Sequence, residues 1–175
     1  ENDDPKFDKF QENLTHNFFD KEINPSGKLV LFSESVDTLN YLYDRLTKEI
    51  GRSDVLMVTA ANRNRLEQTI KENFDANFDS DSMRYNIIIT SDVLAEGVNL
   101  HRSNVIVNYD SPWNATRLMQ RIGRVNRIGS VAPNIYNYMF YPSQQGDKEI
   151  QLYKNALVKL QGFHSAFGED AQIYS

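Results

Sequence analysis

Five short apolar runs, spaced along the chain with longer polar or amphipathic stretches between them, limit what this sequence can fold into more than any other feature. They are Lys28–Phe32 (KLVLF), Asp54–Val58 (DVLMV), Asn86–Thr90 (NIIIT), Asn104–Tyr109 (NVIVNY) and Ile135–Tyr141 (IYNYMFY). Runs this short, rich in branched and aromatic residues and bounded by turn formers such as Pro25-Ser26-Gly27, read as buried strands. After the first, Val36, Leu39, Leu42, Tyr43, Leu46 and Ile50 share one helical face, and Gly51 stands where a left-handed residue would end the helix. After the second, Leu66, Ile70, Phe74 and Phe78 recur every four residues, with Asn64 and Glu67 spaced as a capping box. A polar loop is expected over 73–82, at most one helical turn over Ser91–Leu100, a helix from Pro112 to about Ile128, and a closing amphipathic helix over Ile150–Phe163. Upstream, Phe7, Phe10, Leu14 and Phe18 predict a short helix that packs on the body.

Strands alternating with helices imply a mostly parallel sheet covered on both faces, an open three-layer α/β/α domain. In such sheets ligands meet the carboxyl edge of the strands, so Ser33, Thr59, Thr90, Ser91 and Asp110 are expected on one rim. The 175 residues suffice for one core of this kind.

With a net charge of −5, the chain lacks the broad basic surface of a dedicated nucleic-acid-binding domain, although a local basic patch remains compatible with it. Without cysteine, and with His16, His101 and His164 far apart in sequence, no metal site is assigned. No apolar run reaches the roughly 20 residues that span a bilayer, and the start has no signal-peptide pattern, so the chain reads as cytoplasmic. It begins without Met and ends abruptly, as a piece of something longer would.

The segment Gln120-Arg121-Ile122-Gly123-Arg124-Val125-Asn126-Arg127 places arginines at intervals of three in the helix after Pro112. Leu118, Ile122 and Val125 share its apolar face, while Gln120, Arg121, Arg124 and Arg127 are expected to fan over another. Gly123, costly in a helix by about 1 kcal/mol, suggests a close approach there. A planar, permanently charged guanidinium suits phosphate, yet the spacing is equally compatible with a solvated helix face.

These residues carry a resemblance. Gln120-Arg121-Ile122-Gly123-Arg124 with Arg127 resembles motif VI of superfamily 2 helicases. Ile89-Thr90-Ser91-Asp92 with Ala95-Glu96-Gly97-Val98-Asn99-Leu100 is similar to motif V, and Lys28–Ser33 to motif IV. The connector Asn108-Tyr109-Asp110-Ser111-Pro112-Trp113-Asn114 resembles the Swi/Snf-type or bacterial HepA-like branch. The resemblance implies a C-terminal RecA-like domain. Arg124 and Arg127 would be arginine fingers toward ATP, Gln120 and Arg121 would brace the interdomain cleft, and Glu96, Gly97 and Asn99 would line it. Thr90 and Ser91, and more weakly Ser33, would contact a nucleic-acid backbone, with duplex DNA suggested by the connector. The implied organisation is an N-terminal helix and linker over 1–24, the RecA-like domain over 25–166, and a tail over 167–175.

A P-loop is absent: the Gly27-Lys28 pair has Glu22 where the first glycine belongs and Leu29 where the hydroxyl belongs. No Asp-Glu pair occurs to hold magnesium. ATP and Mg2+ would therefore be bound mainly by a preceding RecA-like domain, giving an ATP-dependent helicase or translocase of which this part alone would be inactive. A second reading of the same residues is a non-catalytic RecA-like module that docks a protein partner or an anionic ligand.

Overall fold

The computed structural model describes residues 4–80, 83–94, 97–110, 115–126, 132, 134–142 and 148–153. Strands β1 (Leu29–Phe32), β2 (Val55–Val58), β3 (Ile87–Thr90), β4 (Val105–Asn108), β5 (Tyr136–Pro142) and β6 (Lys148–Tyr153) form one sheet in the order β2-β3-β1-β4-β5-β6. The first five run parallel, and β6 pairs antiparallel with β5. The expected open three-layer α/β/α sheet is therefore present, and the five expected strands lie within about a residue of their apolar runs.

Side chains alternate across a strand, so each apolar run feeds two cores. Leu29 and Leu31, Ile87 and Ile89, and Val105 and Val107 meet α1 (Pro5–His16) and α2 (Val36–Asp44) on one face. Val30 and Phe32, Ile88 and Ile106 meet α3 (Glu67–Phe74) and α4 (Ala115–Val125) on the other. Helix α1 is capped by Asp4, which accepts from the Phe7 N–H at 3.1 Å. Its Phe7 and Phe10, with Phe18 beyond its end, are fully buried; Phe18 packs edge-on to Tyr138 at 4.8 Å, and Phe10 to Tyr109 at 5.8 Å. Helix α2 ends in a π-helical turn (Arg45–Glu49) closed by Gly51 at φ 82°, the left-handed position foreseen there.

Among the described residues, the link from β3 to β4 contains no α-helix. It holds a 3-10 turn (Asp92–Leu94), and it puts Leu94, Val98 and Leu100 into the core between α3 and α4. It is tied to both: the Leu100 N–H donates to the Arg124 carbonyl at 2.8 Å, and the Arg102 N–H to the Phe74 carbonyl at 3.0 Å.

Three expectations are corrected. Helix α3 starts at Glu67 without a side-chain cap, because Asn62 rather than Asn64 organises the turn: its carboxamide accepts from the Thr59 N–H at 2.9 Å and donates to the Met57 carbonyl at 3.0 Å. Phe78 lies beyond the helix in a turn closed by its own N–H on the Asp75 carbonyl. Where a helix was expected from Ile150, residues 148–153 extend the sheet instead; the remainder of that stretch lies outside the described residues, as do the ends expected for α4 on either side of 115–126.

Candidate nucleotide and nucleic-acid site

The carboxyl ends of β1, β3 and β4 converge on a polar rim. Asp110, two residues past β4, accepts from the Ser33 hydroxyl and from the Glu34 N–H at 3.0 Å, and pairs with Lys6 of α1 at 3.5 Å. Burial pushes its carboxyl up, but the Ser33 hydroxyl, Lys6 and the Glu34 amide outweigh this and hold it below the ordinary carboxylate range. Lys6 also lies 4.1 Å from the centre of the Tyr109 ring. Ser33 is thus fully buried and committed to Asp110. Thr90 is buried too, its hydroxyl donating to the Val58 carbonyl at 2.9 Å. Ser91, partly exposed, stands at the start of the 3-10 turn, where its hydroxyl lies 3.4 Å from the Val93 N–H.

The largest difference from the sequence reading concerns Arg121. It does not fan outward with its neighbours: it is 0% exposed. Nε and one terminal nitrogen hold both oxygens of Asp92 at 2.7 and 3.0 Å, and the other terminal nitrogen donates to Asn108 at 3.0 Å. Asn108 in turn donates to the Asn137 side chain at 2.6 Å and the Tyr138 carbonyl at 3.0 Å. This forked pairing lets a permanent charge lie inside the domain. Residues 118, 121, 122 and 125 form one contiguous helical stripe, so the inward position was readable from the spacing. Arg117, one turn earlier and 47% exposed, pairs with Glu34 at 2.8 Å and lies 3.8 Å from Asp92.

Helix α4 descends from the rim, so at 1.5 Å per residue Arg124 lies about 10 Å below Arg117. The arginines accordingly do not stand together at the rim. Arg124 is partly exposed on the seam between α4 and the β3–β4 link, and donates to the Val98 carbonyl at 3.2 Å. Asn99 and Gln120 are partly exposed in the same region of the chain, whereas Glu96, Arg127 and Trp113 lie outside the described residues. Gly97 adopts φ 80°, and a Cβ added there would stand 3.1 Å from a terminal nitrogen of Arg63. Arg63 also donates to the Val93 carbonyl at 2.6 Å, holding the link from the α3 side. Sequence reasoning passed over Arg63, Glu34 and Arg117, because partners so distant in sequence leave no local spacing signal. We expect Gly97→Ala to cost roughly 1–2 kcal/mol through the left-handed backbone alone, read as a lower melting temperature. A cation beside a left-handed glycine and partly exposed polar side chains is donor chemistry that fits one side of a polyphosphate. Among the described residues no cluster of three or more metal-ligating side chains is found, and no helix is long and apolar enough to cross a membrane.

A parallel sheet in this strand order, with an arginine-bearing helix following β4 and a left-handed glycine in the link beside it, defines a RecA-like α/β domain. The chain belongs to the helicase conserved C-terminal domain family, whose model matches residues 6–129, and is the C-terminal RecA-like domain of a superfamily 2 helicase. The match begins within α1. Among curated relatives, an uncharacterized ATP-dependent helicase of Bacillus subtilis, YqhH, is 46% identical over 52 residues, covering 29% of this chain and 9% of that protein. The ATP-dependent RNA helicase DBP5 of Debaryomyces hansenii is 29% identical over 117 residues, covering 62% of this chain and 22% of that protein. The chain thus spans under a quarter of the length of these relatives. In fold it resembles S. cerevisiae Dbp5 bound to RNA and ADP BeF3 (TM-score 0.56, 24% identity, 94% of this chain and 36% of that one). It also resembles in fold the C-terminal part of the Fun30 ATPase domain (TM-score 0.57, 19% identity, 77% of this chain and 39% of that one).

Proposed function

We propose that this domain is the second motor lobe of an ATP-dependent nucleic-acid helicase or translocase, acting on ATP and Mg2+ held mainly by a preceding RecA-like domain. Bound Mg-ATP supplies the phosphoanhydride whose cleavage powers the cycle. Arg124, with Arg127, serves as an arginine finger, adding positive charge where negative charge develops on phosphoryl oxygens. Gln120, Gly97, Asn99 and Glu96 line the cleft, Gly97 keeping the link close-fitting. Arg121 acts from inside, fixing the pitch of α4 through Asp92 and Asn108 rather than touching the nucleotide. Ser91 offers its hydroxyl to the nucleic-acid backbone. Thr90 and Ser33 support that rim, since both hydroxyls are engaged within the domain.

The observation that carries this reading is the division of labour along α4. Arg121 is locked inward, whereas Arg124 lies partly exposed next to Gly123, where an added Cβ meets nothing within 4 Å. The sequence suggested a close approach at that glycine; none comes from the described residues of this domain, and the space suits a second lobe. RNA helicases among the relatives remove any basis for preferring DNA.

The test uses the protein that carries both lobes. We expect ATP hydrolysis that rises on addition of single-stranded or duplex RNA or DNA, and no hydrolysis by the isolated chain. Absence of stimulation by any of the four nucleic acids would remove the nucleic-acid part of the reading. Gly123→Ala separates packing from function: helix propensity predicts about 1 kcal/mol of added stability, while turnover falls because the methyl group meets the other lobe. Unchanged turnover would mean that the other lobe does not close on this part of α4.

A further inference from the structure

At the amino edge of the sheet, away from the rim, a second polar site has no part in the motor reading. Lys28, immediately before β1, is 4% exposed, yet it lines a cavity of about 330 Å³ together with Pro25, Ser26, Met83 and Arg102. Its ammonium group carries three protons. Among the described residues it makes one hydrogen bond, to the Tyr85 carbonyl, and the Phe74 ring lies 5.2 Å away. Arg102 is turned on to backbone as well: Nε donates to the Asp75 carbonyl at 3.1 Å, and a terminal nitrogen to the Phe78 carbonyl.

Two cations therefore share one cavity, and among the described residues neither forms an ion pair with a carboxylate. Asp54, the carboxylate whose field reaches Lys28, is already held by both ends of the Arg52 guanidinium and by Asn86. Taking a charge out of water without a counter-charge is costly, and a like charge beside it adds to the cost. Burial first, and Arg102 second, bring Lys28 down from 10.5 to about 8. The arrangement is what a site for a negative ligand looks like without its ligand.

We propose that this cavity binds a small phosphate- or sulfate-type oxyanion, its oxygens taking up the spare Lys28 protons and offsetting the repulsion between Lys28 and Arg102. The volume stands at the lower end of small-molecule sites, which favours a free phosphomonoester over an extended chain. Ser26, whose hydroxyl donates to the Asn24 side chain at 3.3 Å, closes one wall, while Pro25 and Met83, 51% exposed, offer apolar surface to a short organic body. Since β1 is four residues long, roughly 13 Å of strand separates the cavity from the rim. The site therefore stands or falls independently of the motor assignment.

The experiment is a titration of the 175-residue chain with inorganic phosphate and with glycerol 2-phosphate, against chloride at matched ionic strength. Nuclear magnetic resonance of the lysine side-chain carbons next to nitrogen reads the pKa of Lys28, assigned by loss of its signal in Lys28→Met. Saturating phosphate is expected to raise that pKa by about one unit or more, and the melting temperature should rise with it. Arg102→Gln should weaken phosphate binding about tenfold, the effect expected of losing one charge-assisted contact. A Lys28 signal unmoved by either ligand would overturn the proposal, as would an equal thermal shift in Lys28→Met. If Lys28→Met does not fold, the titration of the unmodified chain decides alone, with the Lys28 resonance assigned through its backbone.

Discussion

Arg124→Ala, made in the protein that carries both lobes, is expected to lower ATP turnover by about 10³ to 10⁵ while leaving the melting temperature of this domain within a few degrees. The size follows from what an arginine finger contributes: fixed positive charge at the oxygens where negative charge builds, in a cleft from which water is excluded as the lobes close. The small structural cost follows from position. Arg124 is partly exposed, and its hydrogen bond to the Val98 carbonyl, at 3.2 Å, stands at the upper end of the ordinary range. Arg124→Lys should recover little turnover, because an ammonium cannot reproduce the planar fork. The measurement is steady-state hydrolysis at saturating ATP and nucleic acid; turnover within threefold of the parent would eliminate Arg124 as a finger. Arg127→Ala provides the parallel arm.

Asp92→Ala should have the largest effect on the fold itself. Removing this carboxylate leaves the Arg121 guanidinium buried with Asn108 as its remaining hydrogen-bond partner, and breaking a buried pair from one side costs about 3–5 kcal/mol. For a domain of this size that corresponds to a fall of roughly 6–20 °C in melting temperature. Replacing both partners with apolar residues, Arg121→Met with Asp92→Leu, should restore much of the loss, because no orphaned charge remains. Arg117→Ala, which removes an exposed partner of the same carboxylate, should cost no more than about 1 kcal/mol. A small effect of Asp92→Ala, or no recovery in the double variant, would show that the pair does not govern the placement of α4.

Much of this architecture was legible because the strands are short and apolar throughout. A run such as Ile87-Ile88-Ile89, buried on both faces, has few other folded states open to it. The rim was legible for the same reason, since a parallel strand fixes which end faces a ligand. What failed to show were features decided by partners distant in the chain. Residues 148–153 pass for the start of an amphipathic helix until the open edge of β5 supplies a ladder of hydrogen bonds. Asn64 and Glu67 have the spacing of a cap, but Asn62 offered its own backbone a better arrangement first. Arg121 was legible in part: its stripe with Leu118, Ile122 and Val125 points inward, but only the fold brings Asp92, 29 residues away, to meet it. Gly97 and Gly123 were marked as positions where something approaches. At the first it is an Arg63 guanidinium; at the second, nothing among the described residues comes within 4 Å of an added Cβ.

Helix α1 does more than cover a hydrophobic face. Its aromatic residues are riveted under the central strands, and at one end Lys6 grips Asp110, which fastens the Ser33 hydroxyl and the Glu34 amide. Loosening of α1 would therefore reach beyond its own hydrophobic face, because it would release the Asp110 carboxylate and with it the Ser33 hydroxyl and the Glu34 amide at the carboxyl ends of the strands.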